Sequence, residues 1–157
     1  MEVTKMKTSE PRTAYTTAVR QLAMRAMSKA ELYEKLVRQG YPAEEADDAV
    51  AAVTERGYID EDAYARSLVK RYAKRGYGHR AVFARLRAHG LDAKVIEPAL
   101  EELEYDEDML VKLALKHLKG ETGAEAVRRA GAALYRRGYT PEQIKTALRN
   151  AGTETDE

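Results

Sequence analysis

The sequence predicts an all-α protein, an elongated tandem array of three three-helix repeats. Composition is the first reason: alanine occurs 26 times and leucine 14, against 10 valines and 3 isoleucines, so strong helix formers far outnumber β-branched residues. Punctuation is the second. Leu36 to Gly40 followed by Tyr41, Leu86 to Gly90 followed by Leu91, and Leu134 to Gly138 followed by Tyr139 are one L-x-x-x-G unit, its glycines 50 and 48 residues apart. A third marker lies between them: Ile59-Asp60-Glu61-Asp62-Ala63-Tyr64 resembles Tyr105-Asp106-Glu107-Asp108-Met109-Leu110, 46 residues later. A period of this length is the mark of a helical array whose units stack their apolar faces.

Residues 1–12 and 152–157 read as frayed tails, the latter acidic, which leaves repeats at 13–59, 60–105 and 106–151. The first repeat has helices near Tyr15 to Ala26, Lys29 to Gln39 and Ala43 to Arg56. Ser28 and Glu31 form a capping box for the second of these, whereas Pro42 breaks the cap pattern before the third. The second repeat has helices at Glu61 to Lys74, His79 to His89 and Ala93 to Leu103, with Asp60 and Asp92 placed to accept orphan N–H groups. The third has Glu107 to Lys119, Ala124 to Arg137 and Pro141 to Asn150. Asp106 caps its first helix, and Thr140 with Pro141 at N1 and Gln143 caps its last. Gly40, Gly57, Gly90 and Gly138 supply the left-handed turn that ends the preceding helix. Apolar positions six and ten beyond the repeat glycine, Ala46 and Val50, Ile96 and Leu100, Ile144 and Leu148, fall on one helix face each time.

Several classes of protein are excluded or disfavoured. The chain has no cysteine, which removes disulfide scaffolds, thiol nucleophiles and Cys-ligated zinc. No stretch approaches a membrane span, and Met1 to Arg12 has no apolar targeting core, so a cytoplasmic address is expected. His79, His89 and His117 share no metal-ligand spacing and read as surface or boundary residues, His79 and His89 as auxiliary contacts in the basic stretch. The two acidic triplets sit at helix starts, where carboxylates cap N–H groups and oppose the macrodipole. Gly76-Tyr77-Gly78 lacks the preceding strand and third glycine of a phosphate loop and reads as a turn. No nucleophile elbow, Walker sequence or triad order appears, so neither an enzyme nor a cofactor is expected.

Net charge is +1, yet it is a cancellation. Met1 to Asp62 carries 9 basic and 12 acidic residues, Ala63 to Gly90 carries 8 and none, Leu91 to Glu125 has 4 and 10, and Ala126 to Arg149 has 6 and 1. On the fourth helix Tyr64, Ala65, Leu68, Val69 and Tyr72 form the inward stripe, and Arg66, Lys70 and Lys74 lie opposite at i, i+4, i+8, flanked by Arg71 and Arg75. On the fifth, Val82, Phe83 and Leu86 point inward while Arg80 and Arg87 share an outer face with Arg85 nearby. These eight cations are the candidate binding face for a polyanion. Arg128, Arg129, Arg136, Arg137, Lys145 and Arg149 form a secondary basic patch.

The run Leu22 to Leu36, with S-x-x-E-L-x-x-K-L from Ser28, then Gly57 to Ala65 with its acidic turn, then Gly76 and Arg80 to Leu91, resembles the RecX regulatory family from about Tyr15 to Asn150. The resemblance implies tandem three-helix repeats that bind the RecA recombinase filament and damp its ATPase, strand-exchange and coprotease activities, in recombination and the SOS response. It implies a monomer whose partners are the RecA filament and, by direct contact, single- or double-stranded DNA. The rival reading is a helix-turn-helix protein that binds DNA directly. Against it, the third helices of the first two repeats carry Glu44, Glu45, Asp47, Asp48 and Glu97, Glu101, Glu102, Glu104, which phosphate would repel; only the third, with Gln143, Lys145 and Arg149, suits a groove. A tetratricopeptide scaffold has a different period and lacks its signature here.

Overall fold

The computed structural model describes residues 12–153. Among them are nine α-helices and no strand: α1 Ala14–Met24, α2 Lys29–Arg38, α3 Ala43–Glu55, α4 Glu61–Lys74, α5 His79–Ala88, α6 Ala93–Glu101, α7 Glu107–Leu118, α8 Ala124–Arg136 and α9 Pro141–Asn150. The all-α expectation therefore holds, and most boundaries fall within two residues of those read from the sequence. The expected tails at 1–11 and 154–157 lie outside the described residues. Thr153, assigned to a tail, is buried, and its hydroxyl donates to the Leu148 carbonyl at 2.7 Å to close the end of α9.

Local chemistry accounts for the ends. Ser28 and Thr140 each form a reciprocal capping box, with Glu31 and Gln143 respectively, as expected. Thr13 forms a third with Thr16, so α1 starts one residue earlier than predicted. That helix also stops at Met24 rather than Ala26, because Arg25 turns extended to bring Ser28 into its capping position. Asp60 and Asp106 accept the N–H groups of Ala63 and Met109 at 3.1 and 3.0 Å. α3 begins after Pro42 without a side-chain cap, and its Glu45 carboxylate instead accepts the Ala14 N–H at 3.1 Å. α6 ends at Glu101, short of the predicted Leu103, and tolerates Pro98 inside it although that residue has no N–H to give to the carbonyl a turn earlier.

The chain divides into two compact units. Among the described residues, one contains those up to Tyr64 together with His89–Leu91; the other contains Ala65–Ala88 and those from Asp92 onward. In the first, α1, α2 and α3 all pack on one another around Ala18, Leu32, Leu36, Ala46, Val53 and Met27, with Tyr15, Tyr33 and Tyr41 at the margin. In the second, α7, α8 and α9 pack in the same way around Leu110, Ala114, Leu118, Ala130, Leu134 and Ile144, and α5 packs on α6. Both cores mix alanine, which lets helices pack closely, with leucine, which fills the space between them.

Each unit contains one tight joint at an L-x-x-x-G glycine. In the first, Gly90 follows α5 at φ +83°, and a Cβ there would come within 2.6 Å of the Ala30 Cβ. The Ser28 hydroxyl donates to the neighbouring His89 carbonyl at 2.6 Å. In the second, Gly138 follows α8 at φ +99°, and a Cβ there would stand 2.5 Å from the Ala81 nitrogen. Gly78 at the start of α5 donates its N–H to the Arg137 carbonyl at 2.7 Å, and a Cβ on Gly78 would meet the Gly138 carbonyl carbon at 2.6 Å. The Gly76-Tyr77-Gly78 sequence is thus a turn, as expected, and also a docking surface for backbone.

Candidate functional site

All fourteen predicted cations fall in the second unit, and the structure sorts them by what their side chains touch. On α4 the inward stripe is Tyr64, Ala65, Leu68 and Val69, all buried, with Tyr72 half-buried; Arg66, Lys70 and Lys74 are exposed on the far side with Arg71 and Arg75 beside them. Among the described residues no carboxylate lies within ion-pairing distance of any of the five. Successive members of the Arg66, Lys70, Lys74 row are about 6 Å apart along the axis, at roughly 1.5 Å per residue.

Arg75 begins a second group, in which cations lie on tyrosine rings. Its guanidinium carbon is 5.8 Å from the Tyr72 ring centroid, and that of Arg85 is 3.8 Å from Tyr77 and 5.7 Å from Tyr72. Arg137 approaches Tyr77 at 4.9 Å and donates to the Arg75 and Gly76 carbonyls at 2.9 and 3.2 Å, which ties α8 to the end of α4. Tyr72 and Tyr77 meet edge to face at 6.3 Å. Arg80 lies 4.6 Å over Tyr135 and donates to the Tyr135 carbonyl, so it turns toward α8 rather than sharing an open face with Arg87. Arg87 is exposed. A guanidinium held over a ring keeps its charge and loses freedom, so these arginines set the potential while stapling the unit.

The secondary patch divides likewise. Arg129 caps the end of α7, donating to the His117 and Leu118 carbonyls at 3.2 Å each and to Glu121 at 3.3 Å. Arg128 pairs with Glu125 at 3.1 Å across two exposed side chains. Arg136 and Arg149 are exposed, and Lys145 is half-buried. The field of this region registers on His117, whose imidazole is held below its ordinary value by burial and by the nearby charges of Lys116, Arg137, Arg136 and Lys119. An open groove of about 480 Å³, lined largely by Phe83, Leu100, Tyr135, Tyr139 and Pro141, adjoins Arg80. Burial there pushes the Tyr139 hydroxyl up to about 12.

The first unit holds a polar cluster that the sequence did not reveal. Glu31 receives the Ser28 N–H and the Tyr64 hydroxyl on one oxygen, each at 2.9 Å, and lies 2.8 Å from His89 Nδ1 through the other. Burial alone would raise this carboxyl, but those three hydrogen bonds and the His89 charge outweigh it and hold it below its ordinary value. His89 is therefore a joint residue, with its ring edge to face against Tyr64 at 5.9 Å. The sole local clue was Glu31 at the third position of the capping box, since Tyr64 and His89 lie 33 and 58 residues away.

The fold and this surface define a class: an all-α protein of three-helix domains bearing a basic face. Within it, residues 14–51 match the family description "RecX, first three-helix domain" and residues 60–100 match "RecX, second three-helix domain". The chain is 37% identical over 131 residues to "Regulatory protein RecX" of Stenotrophomonas maltophilia, covering 82% of this chain and 80% of that one. It is 35% identical over 144 residues to the protein of that name from Mycolicibacterium smegmatis, covering 83% and 77%. Among solved structures, RecX from Lactobacillus salivarius shares the fold with a TM-score of 0.77 at 18% identity, over 88% of this chain and 94% of that one. A second, titled as regulatory protein RecX, has a TM-score of 0.80 at 20% identity, over 87% and 70%. This chain belongs to the RecX family of regulatory proteins.

Proposed function

We propose that this protein is a non-enzymatic modulator of the RecA–DNA filament, acting in the cytoplasm in recombination and the SOS response. The observation that carries the reading is the exposed α4 row, Arg66, Lys70 and Lys74 with Arg71, unpaired among the described residues in a chain of near-zero net charge. Such a row faces a polyanion, either the acidic surface of the filament or its DNA backbone. The ring-held arginines Arg75, Arg80, Arg85 and Arg137 act behind it, adding potential and fixing the helix that displays it. Arg87 and the exposed members of the secondary patch, Arg136 and Arg149, extend the contact. The three repeats span neighbouring protomers, and the protein damps ATPase, strand exchange and coprotease activity by binding one filament state more tightly than another.

Direct reading of duplex DNA is disfavoured by α3, whose Glu44, Glu45, Asp47 and Asp48 are all exposed. The test is DNA-stimulated ATP hydrolysis by RecA. Substoichiometric protein should lower it, and unchanged hydrolysis, filament length and strand exchange would remove the proposal.

A further inference from the structure

The joint described above is used twice, and each half of it occurs once more at the matching place in the helix order, after α2 and before α8, with nothing on it among the described residues. The inserted half is the glycine turn that follows α5 or α8, the middle helix of three; Gly57 and Gly152 make the same turn in open space but follow α3 and α9. Gly40, after α2, has φ +104° and donates to the Val37 carbonyl at 3.0 Å while Tyr41 donates to Leu36 at 3.2 Å. Docked Gly138 has φ +99° and the matching pair, to Tyr135 at 2.9 Å and from Tyr139 to Leu134 at 3.4 Å. The two turns are therefore the same structure. Yet Gly138 is packed against Ala81, whereas a Cβ on Gly40 would meet nothing within 4 Å. Gln39 and Gly40 are exposed, and their carbonyls accept no hydrogen bond among the described residues.

The receiving half is the residue before a helix. Ser28 receives the His89–Gly90 turn and Gly78 receives the Arg137–Gly138 turn. The matching position before α8 is Gly123, at φ −73° and ψ 168° against −79° and 164° for Ser28. Gly123 has no side-chain cap, a Cβ there would meet nothing within 4 Å, and Gly123, Ala124 and Glu125 are exposed. In the occupied joint the Gly78 N–H reaches the Arg137 carbonyl at 2.7 Å and the Arg80 N–H reaches the Gly138 carbonyl at 3.4 Å. By register, the Gly123 and Glu125 N–H groups stand where they would serve the Gln39 and Gly40 carbonyls. The inserted side carries Arg38, while Glu121 and Glu125 on the receiving side are already paired with Arg129 and Arg128, so the fit rests on backbone hydrogen bonding and not on charge.

We infer that the Gln39–Gly40 turn of one copy of this chain docks on the Gly123–Glu125 start of α8 in a second copy, a head-to-tail contact that repeats the joint already present within each unit. The two surfaces differ, so the contact is heterologous and open-ended: each added copy offers a new turn and a new seat. A two-residue turn on one helix start buries little area, so the association is weak in free solution and gains where copies are held side by side on a common lattice. The inference rests on the joints and not on the partner proposed above.

Because the chain has no cysteine, Gln39→Cys and Gly123→Cys each introduce a single thiol at an exposed position. Mixed and mildly oxidised, the two variants should form the unlike disulfide dimer in clear excess over either like dimer. The double variant should give a ladder of dimers, trimers and longer chains. Sedimentation equilibrium on the full chain checks this without a covalent bond: the average mass of the parent should rise with concentration. Gly123→Trp, at a φ that any residue accepts and in open space, should stay monomeric. Statistical pairing of the thiols, a disulfide confined to one chain, or a parent mass independent of concentration would overturn the inference.

Discussion

The two joints share a glycine turn and differ in everything that holds it. At Gly90 the seat is a side-chain network: the Ser28 hydroxyl on a carbonyl, and Glu31 bonded to Tyr64 and His89. At Gly138 the seat is backbone on backbone, with the N–H groups of Gly78 and Arg80 on consecutive carbonyls and arginines on tyrosine faces around it. The first contains groups that titrate; the second relies on guanidinium groups, which keep their charge at any practical pH. One backbone device, used at two places, is thus fastened once by ionisable hydrogen bonds and once by packing and cation–π contact.

Substituting the glycines should separate the two ingredients of the turn, its conformation and its close approach. Gly138→Val forces a β-branched residue to a positive φ and drives its Cβ into the Ala81 backbone, so a loss of about 3 kcal/mol or more is expected. Gly40→Ala has the same backbone conformation in open space and should cost about 1 kcal/mol. Urea unfolding followed by hydrogen exchange in each unit reads the difference. Equal losses would show that the approach to Ala81 contributes nothing.

A smaller effect should mark the first joint alone. Glu31 has its carboxyl held below the ordinary carboxylate value, so its bonds stabilise the folded state above that value, and the contribution is lost as pH falls through the lowered one. Glu31→Gln should therefore melt lower than the parent near neutral pH, by an amount on the order of 1 kcal/mol or less for this partly exposed cluster, and the gap should close in acid. Exchange protection near His89 should follow the same profile, while that around Gly138 should not. A gap that persists unchanged below the carboxylate range would assign the effect to packing.

What the sequence revealed and what it hid follow from the range of each interaction. Capping boxes at Ser28 and Thr140 close within three residues, so they were legible, as was the inward stripe of α4 from Tyr64 to Val69. The charge segregation was legible for the same reason, since helix periodicity alone places Arg66, Lys70 and Lys74 together. The fate of Arg80 and Arg137 was not, because their partners Tyr135 and Gly76 lie 55 and 61 residues away. Ten tyrosines with no tryptophan imply thin cores close to the surface, since each ring is buried while its hydroxyl needs a partner or water. It took the packed helices to show that several of those rings serve as seats for arginine.

The contrast between exposed and ring-held cations leads to the decisive measurement: RecA ATP hydrolysis on DNA, titrated with the parent, with Lys70→Glu/Lys74→Glu and with Arg85→Gln. The α4 pair is exposed and makes no ion pair among the described residues, so its variant should melt with the parent and yet lose most of the inhibition. Arg85→Gln should lower the melting temperature while retaining inhibition where the protein is still folded. Full inhibition by a folded Lys70→Glu/Lys74→Glu protein would contradict the assignment of function to the α4 row.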